Sequence, residues 1–439
     1  MSATRQPTAG KNRAPLYFAL MLGLFALEAA TGGWNTALGL LNMGLISAIM
    51  ALGVNIQWGY AGLFNTGILG FVALGGLAPV LVSMPPVPGA FAAGGWRLLG
   101  AFALAGLVIA LAVQIKRRMR GRPMALALVA WLIAGFFAYR AVLDPAVAMI
   151  EAINPSGAGY LGGLGLPVLL SWPVGMVFAA VAAWAVGKIS LGLRSDYLAI
   201  ATLGIAQIIV FVLRNEEWLA RGVKNVNGIP RPVPYEVDLQ ADPSFIERAA
   251  SFGLDPITGS TIFVKLCYAA LFIVATLLVI WLSEMALKSP WGRMMRAIRD
   301  NETAARAMGK DVTRRHLQVF VLGSAVCGLA GAMLITLDGQ VTPTSYFPLR
   351  FTFLIWVMVI VGGSGNNWGS VLGGMLIWYL WIKVEPWGNG AMQLLTSGLS
   401  DGAVKAHLID SAAHMRMLVM GLVLLLVLRF APRGLLPEK

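Results

Sequence analysis

The sequence predicts an all-α integral membrane protein, a polytopic helical bundle of about 12 spans within a range of about 10–12. Three observations predict this class. The 439 residues are 58% hydrophobic and 12% charged, with a mean hydropathy of +0.75. An ordinary soluble domain is about 25% charged. Glycine occurs 51 times, against about 31 expected from average usage. Many of these glycines, such as Gly70, Gly75, Gly76 and Gly373, lie inside apolar runs, where small residues let membrane helices approach closely. Finally, the basic residues sit in short stretches between apolar runs, so the net charge of +13 reads as membrane topology rather than nucleic-acid binding.

A span needs about 20 apolar residues. Taken in order, the candidates lie at about 16–32, 37–57, 62–83, 98–115, 123–140, 166–187, 196–213, 262–287, 317–336, 350–362, 368–383 and 414–431. Residues 1–15 form a polar, basic tail before the first span, with Arg5, Lys11 and Arg13. No cleavage site follows, so the first span is expected to be retained. Residues 16–435 then form a single transmembrane domain. With the tail in the cytoplasm, Lys116-Arg117-Arg118-Met119-Arg120-Gly121-Arg122, the stretch 288–316 and the C-terminal Arg433 and Lys439 all fall inside. The loop 214–261, carrying Glu216, Glu217, Glu236, Asp238, Asp242, Glu247 and Asp255, falls outside, as does 384–413. Both termini are thus expected to be cytoplasmic, in agreement with the positive-inside rule. Trp34, Trp58, Trp96, Trp172, Trp218, Trp291 and Trp387 lie near span ends, as an interfacial belt requires.

The stretch 288–316, KSPWGRMMRAIRDNETAARAMGKDVTRRH, carries the clearest local design. Asp300 is placed to cap a helix starting at Asn301, and Glu302 sits in its first turn. Gly309 is placed to end it in a left-handed conformation. The helix would be roughly 12 Å long. Ala304, Ala305 and Ala307 leave room for a partner to close around it. The alternative is a solvated basic loop that only sets orientation.

Elsewhere the chemistry is sparse. Gly187-Lys188 is followed by Ile189, and Ala182 stands where a phosphate-binding loop would need glycine. His316, His407 and His414 have no metal-ligand spacing, and Cys267 and Cys327 form no disulfide framework. No catalytic, cofactor or metal site is expected, and the chain reads as a non-enzyme. Glu28 is read as the only acidic residue deep in a span, near its outer end, and is expected to snorkel or pair. Asn65, Thr66 and Gly67 enter a span at a tight turn, and Gly362, Gly363 and Gly365 interrupt another. Each segment reads either as close packing or as part of a translocation path. Scarcity of buried charge weighs against an ion-coupled secondary transporter. No Asp, Glu or His cluster suggests an enzyme acting on lipid-linked substrates.

A set of motifs resembles the permeases of branched-chain amino-acid ABC transporters, in their M-type subunit. They are Trp58-Gly-Tyr-Ala-Gly-Leu-Phe-Asn65, Arg194-Ser-Asp-Tyr-Leu-Ala-Ile200 with Ala201-Thr-Leu-Gly204, Asn227-Gly-Ile-Pro-Arg-Pro232, Arg296-Ala-Ile-Arg-Asp-Asn-Glu302, and Val361-Gly-Gly-Ser-Gly365 with Trp368, Gly369 and Gly373. They cover about residues 36–84 and 166–435. The phrase Glu302-Thr-Ala-Ala-Arg-Ala-Met-Gly309 resembles the Glu-Ala-Ala…Gly loop of ABC importers, which inserts into the ATPase subunit. Two departures stand out: residues 85–165 look like an inserted two-helix hairpin, and Gln207 stands where related chains often have Glu.

The resemblance implies an ABC importer permease fold in the bacterial inner membrane. It implies import of branched-chain or related amino acids, with urea and short amides as alternatives. Its partners would be a second related permease, two cytoplasmic ATPase subunits, an external binding protein and membrane lipid, with no nucleic acid. Arg296, Arg299, Asp300, Glu302, Ala304, Ala305 and Gly309 would couple to the ATPase. Glu216, Glu217, Asn227 and Gly228 would help dock the binding protein.

Overall fold

The computed structural model describes residues 14–153, 159–397 and 402–438. The tail residues Arg5, Lys11 and Arg13 lie outside the described residues, as does Lys439. The chain opens with α1 (Ala14–Thr31), α2 (Trp34–Ala61) and α3 (Ile68–Ser83). A π-helical turn, Phe91–Gly95, leads into α4 (Trp96–Arg118), followed by α5 (Gly121–Glu151). Next come α6 (Ser171–Ser190) and α7 (Ser195–Asn215). The segment after α7 holds α8 (Glu217–Ala220), β1 (Val226–Asn227), α9 (Glu236–Ala241) and α10 (Pro243–Ser251). Then follow α11 (Pro256–Lys288), α12 (Pro290–Asp300), α13 (Glu302–Ala307), α14 (Val312–Asp338) and β2 (Gln340–Val341). A second π-helical turn, Leu349–Phe353, runs into α15 (Leu354–Gly362), and α16 (Asn367–Leu395), α17 (Ala403–Ser411) and α18 (Met415–Phe430) complete the chain.

Each expected span coincides with a helix, and the molecule is an all-α, multi-pass membrane protein. Among the described residues, 8 helices are long and apolar enough to cross a membrane, and the pair Lys405–Ser411 and Met415–Phe430, bent by 53°, makes up to 9. The remaining expected spans are the short apolar helices Ile68–Ser83 and Leu349–Gly362 and α16, whose apolar run is broken by Lys383, Glu385 and Pro386. The expected outer loop 384–413 is shorter than read from sequence, because α16 continues to Leu395.

Burial sorts the helices that hydropathy cannot. The apolar stretches of α2 and α14 are 83% and 89% buried, whereas those of α4 and α5 are 11% buried. The bundle is therefore built around α2 and α14, with α3, α6, α11 and α16 against them. Close approach is what the glycines provide. A Cβ on Gly75 would meet the carbonyl of Gly328, and one on Gly328 would meet Gly175 and Ala179. Thus α3, α6 and α14 touch backbone to backbone, as in small-residue membrane packing.

The hairpin of α4 and α5 stands at the rim. It has its own small core, in which Leu98, Ala101, Leu143, Ala146 and Ile150 enclose Trp218. Of the tryptophans expected in an interfacial belt, Trp34, Trp96 and Trp387 are exposed, but Trp172 and Trp218 are buried inside the protein.

Candidate functional site

Two ends of the bundle carry the sequence-marked residues. At one end, Ser289 caps α12, its hydroxyl accepting from the Gly292 N–H at 3.3 Å, with Pro290 in the first turn. Met295 and Ile298 bury one face of α12. Its arginines turn inward to the chain itself. Arg296 donates to the Leu287 carbonyl at 3.3 Å. Arg299 donates to the Gly59 carbonyl and pairs with Glu438 at 2.8 Å and Asp300 at 3.3 Å.

The cap of α13 corrects the sequence reading. Asn301, not Asp300, is the N-cap, accepting from the Ala304 N–H at 2.9 Å. Asp300 is instead the last residue of α12. The chain breaks one residue later than expected because Asn301 is extended and its short amide reaches the free N–H. Glu302 lies in the first turn and bonds Arg306 at 2.6 Å. At the other end the Gly309 N–H bonds the Arg306 carbonyl at 3.0 Å, and the Lys310 N–H bonds that of Ala305 at 3.2 Å. This is a Schellman closure, and Gly309 has a φ of 75°, as its position demands. No residue of α13 is buried. Ala304 and Ala307 are exposed and Ala305 is half-buried. A fully capped helix with an open alanine face is the result.

The two glycine-bearing segments, distant in sequence, meet at this same end. A Cβ on Gly59 would press on the Gly365 backbone. Asn55 accepts from the Gly365 N–H at 2.8 Å and donates to Asn367 at 3.1 Å. Tyr60 also donates to Asn367, which in turn donates to Glu284 at 2.9 Å. Gly363 and Gly365 have φ of 116° and 85°. The turn they form is covered by the C-terminal tail, whose Leu435 and Leu436 N–H groups bond the Val361 and Gly362 carbonyls at 2.9 Å. Gly362 lies against the Gly369 backbone.

Asn65, Thr66 and Gly67 form the unwound link between α2 and α3. Their polar atoms are spent within the protein. Asn65 donates to Gln57 at 2.8 Å and accepts from the Gly67 N–H at 2.8 Å, while its carbonyl accepts from the Trp356 indole at 2.9 Å. Thr66 donates to Ala199 at 2.5 Å, and a Cβ on Gly67 would meet Thr202. This link fastens α2 and α3 to α7 and α15. Of the expected path residues, it and the 362–365 turn are packed joints in this conformation.

At the opposite end, Val226 pairs with Val341 and Asn227 with Gln340 in an antiparallel ladder. Arg214 donates to the carbonyls of Pro343, Thr344 and Tyr346 at 3.1–3.3 Å. Glu216 accepts from the Trp218 indole at 2.7 Å, and Glu217 pairs with Lys224 at 2.6 Å. Asn227 and Gly228 are exposed. Asp242 and Asp255 cap α10 and α11. Hydrogen bonds from Ser244 hold the Asp242 carboxyl below its ordinary range. The Thr258 N–H does the same for Asp255. The 214–261 segment is thus a folded cap.

Sequence reading expected Glu28 to snorkel or pair, but it named no partner and passed over Glu284. Glu28 is buried and pairs with Lys383 at 2.5 Å. Glu284 is a second carboxylate within a span, overlooked although it interrupts an apolar run. Gln207 is exposed on α7. Among the described residues no cluster of His, Cys, Asp and Glu could hold a metal ion.

The family described as "Branched-chain amino acid transport system / permease component" matches residues 144–428, starting within α5. The high-affinity branched-chain amino acid transport system permease protein LivM of Escherichia coli (strain K12) is 27% identical over 278 residues, 63% of this chain and 58% of its own length. The probable branched-chain amino acid transport permease protein LivM of Methanocaldococcus jannaschii is 24% identical over 400 residues, 89% of this chain and 90% of its own. The fructose import permease protein FrcC of Rhizobium meliloti is 26% identical over 144 residues, 32% of this chain and 38% of its own length. No solved structure matches.

Proposed function

Since this chain belongs to the branched-chain amino acid transport permease family, we propose that it is the membrane-spanning subunit of an ATP-driven importer. The substrate is a branched-chain or related amino acid delivered by an external binding protein. A second related permease completes the channel, and two cytoplasmic ATPase subunits drive it. The end carrying α12, α13 and the C-terminal tail faces the cytoplasm of a bacterial inner membrane, and the folded 214–261 cap faces outward. The basic residues at 116–122, 288–316 and 433 all lie toward the first end, as the positive-inside rule requires.

The observation that carries this reading is α13. A short helix capped at both ends, with no fully buried residue and only Ala305 resting on the body of the protein, is a rigid knob. Arg296 and Arg299 hold its base to α11, α2 and the C-terminal tail, so force on the knob reaches the joint where Gly59 meets Gly365. Glu302, Ala304, Ala305 and Gly309 shape the knob itself, and Asp300 ends the helix that presents it. At the outer end, the exposed Asn227 and Gly228 and the half-buried Glu216 and Glu217 offer the surface for the binding protein.

The test is uptake in proteoliposomes. We expect accumulation of leucine to need ATP, both permeases, the ATPases and the binding protein together. Concentrative uptake by this chain alone, driven by a proton or sodium gradient, overturns the reading. Running urea and short amides in the same assay decides the substrate class.

The hairpin 85–165 is expected to be dispensable. Its ends already meet, the Gly165 N–H bonding the Met84 carbonyl at 2.9 Å. A deletion joining Met84 to Gly165 through a short linker, with Trp218→Gln to suit the uncovered indole, is expected to keep at least about a third of substrate-stimulated ATPase activity, a loss under about 0.7 kcal/mol. Loss of all stimulation in an assembled complex would place the hairpin in the path or at a subunit interface.

A further inference from the structure

The joints at Asn65 and Gly365 have their hydrogen-bonding groups occupied. A different place in the bundle does not. A small cavity lies between α2, α14, the π-helical turn 349–353, α15 and α16. It is lined by Ile46, Met50, Leu334, Leu354, Met358 and, at its polar edge, Arg350 and Trp378. The Arg350 guanidinium lies 4.9 Å from the Phe351 ring and 5.2 Å from the Trp378 ring. Among the described residues it makes neither a hydrogen bond nor an ion pair. The Trp378 indole N–H, 6% exposed, is buried without an acceptor, and the buried Tyr346 hydroxyl is likewise unpartnered. Asp338 acts on both Arg350 and Tyr346 electrostatically but forms no ion pair among the described residues, and it is exposed at the last turn of α14.

An unpaired buried donor is costly, so the Trp378 indole beside the Arg350 guanidinium on one apolar cavity calls for a missing acceptor. Asp338, outside the cavity lining on the last turn of α14, is the carboxylate whose charge is felt at Arg350. The π-helical turn that carries Arg350 is the kind of local irregularity found at functional sites. We propose that this is a station for the substrate inside the membrane domain, specific for a zwitterion with an aliphatic side chain. The carboxylate is taken by Arg350 and the Trp378 N–H, the ammonium group by Asp338, and the side chain by Ile46, Met50, Leu354 and Met358. The cavity now holds about 10 Å³, the space of about one water molecule, so this conformation is the closed one. Entry is from the β1–β2 end, where Asp338 is exposed. The proposal rests on the importer reading for its substrate class.

The test uses photo-leucine, a diazirine analogue of leucine, with the complete transporter in proteoliposomes. Crosslinks are expected on peptides holding Ile46 to Met50 and Leu354 to Met358. Excess leucine should protect, while 4-methylpentanoate, lacking the ammonium group, and isoamylamine, lacking the carboxylate, should not at equal concentration. Arg350→Gln is expected to cut labelling at least about tenfold, the effect of losing one charge-assisted interaction, and Arg350→Lys less. Asp338→Asn, at an exposed position that folding tolerates, should weaken protection by leucine about tenfold, and it decides the matter if Arg350→Gln fails to accumulate. Labelling confined to other helices, or unaffected by either variant, overturns the site. A wild-type complex that imports leucine without labelling these helices also overturns it. A complex labelled and protected as expected but unable to use ATP for uptake overturns the importer reading instead and leaves the site.

Discussion

Replacing Ala304 with Arg is expected to abolish ATP-driven uptake while leaving membrane insertion and abundance unchanged. Ala304 is exposed on α13, so a long cation there disturbs no internal packing and is felt only by a partner closing over the helix. Ala305, which the sequence singled out equally, is half-buried against the body of the protein and makes a less clean probe. Gly309→Val is the companion change. Nothing lies within 4 Å of a Cβ built there, so the penalty comes from the backbone alone. A φ of 75° costs a β-branched residue about 1–2 kcal/mol, enough to unlatch the Schellman closure. Both variants are expected to lower uptake at least about tenfold, equivalent to about 1.4 kcal/mol of coupling, and to reduce co-purification of the ATPase. Normal transport by both would make residues 301–309 an ordinary solvated loop.

The second large effect is on stability. Lys383→Met should destabilise the protein by about 3–5 kcal/mol, the usual consequence of leaving a buried charge without its partner. Glu28 is 4% exposed and its carboxylate sits 2.5 Å from the Lys383 ammonium. The pair clasps α1 to α16, where Phe25 and Tyr379 also meet edge to face at 6.0 Å. The double variant Glu28→Gln with Lys383→Met should recover most of the loss, because no lone charge remains. Thermal unfolding in detergent reads both. A single variant as stable as the parent, or a double variant no better than the single, would show that the pair is incidental.

These two cases mark different degrees of legibility. The helix α13 could be read because its signals are local. A cap, a first-turn carboxylate and a C′ glycine act over fewer than ten residues, and the reading erred only on whether Asp300 or Asn301 held the cap. That choice turns on one extended backbone angle, which composition does not encode. The Glu28–Lys383 pair could only be half read. A carboxylate in an apolar run announces that it needs a partner, but the partner lies 355 positions away and nothing in either segment names the other. The glycine segments show the same split. Their small residues announced close contact, but only folding brought Gly59 against Gly365 and spent the Asn65 amide on Gln57.

By itself the sequence determined that this is a membrane-spanning bundle of helices, where those helices fall, which ends carry positive charge, and which loop holds the capped helix. These follow from hydropathy, charge and short-range hydrogen bonding, each a property of neighbouring residues. Tertiary structure decided which helices are central and which are peripheral. In apolar surroundings all spans look alike in hydropathy, and only close contact through glycines such as Gly75 and Gly328 separates α2 and α14 from the hairpin. It also decided which polar groups are spent and which are free. Whether the Asn65 amide or the Trp378 indole has a partner depends on residues far apart in the chain coming within about 3 Å, and only the folded chain sets that distance.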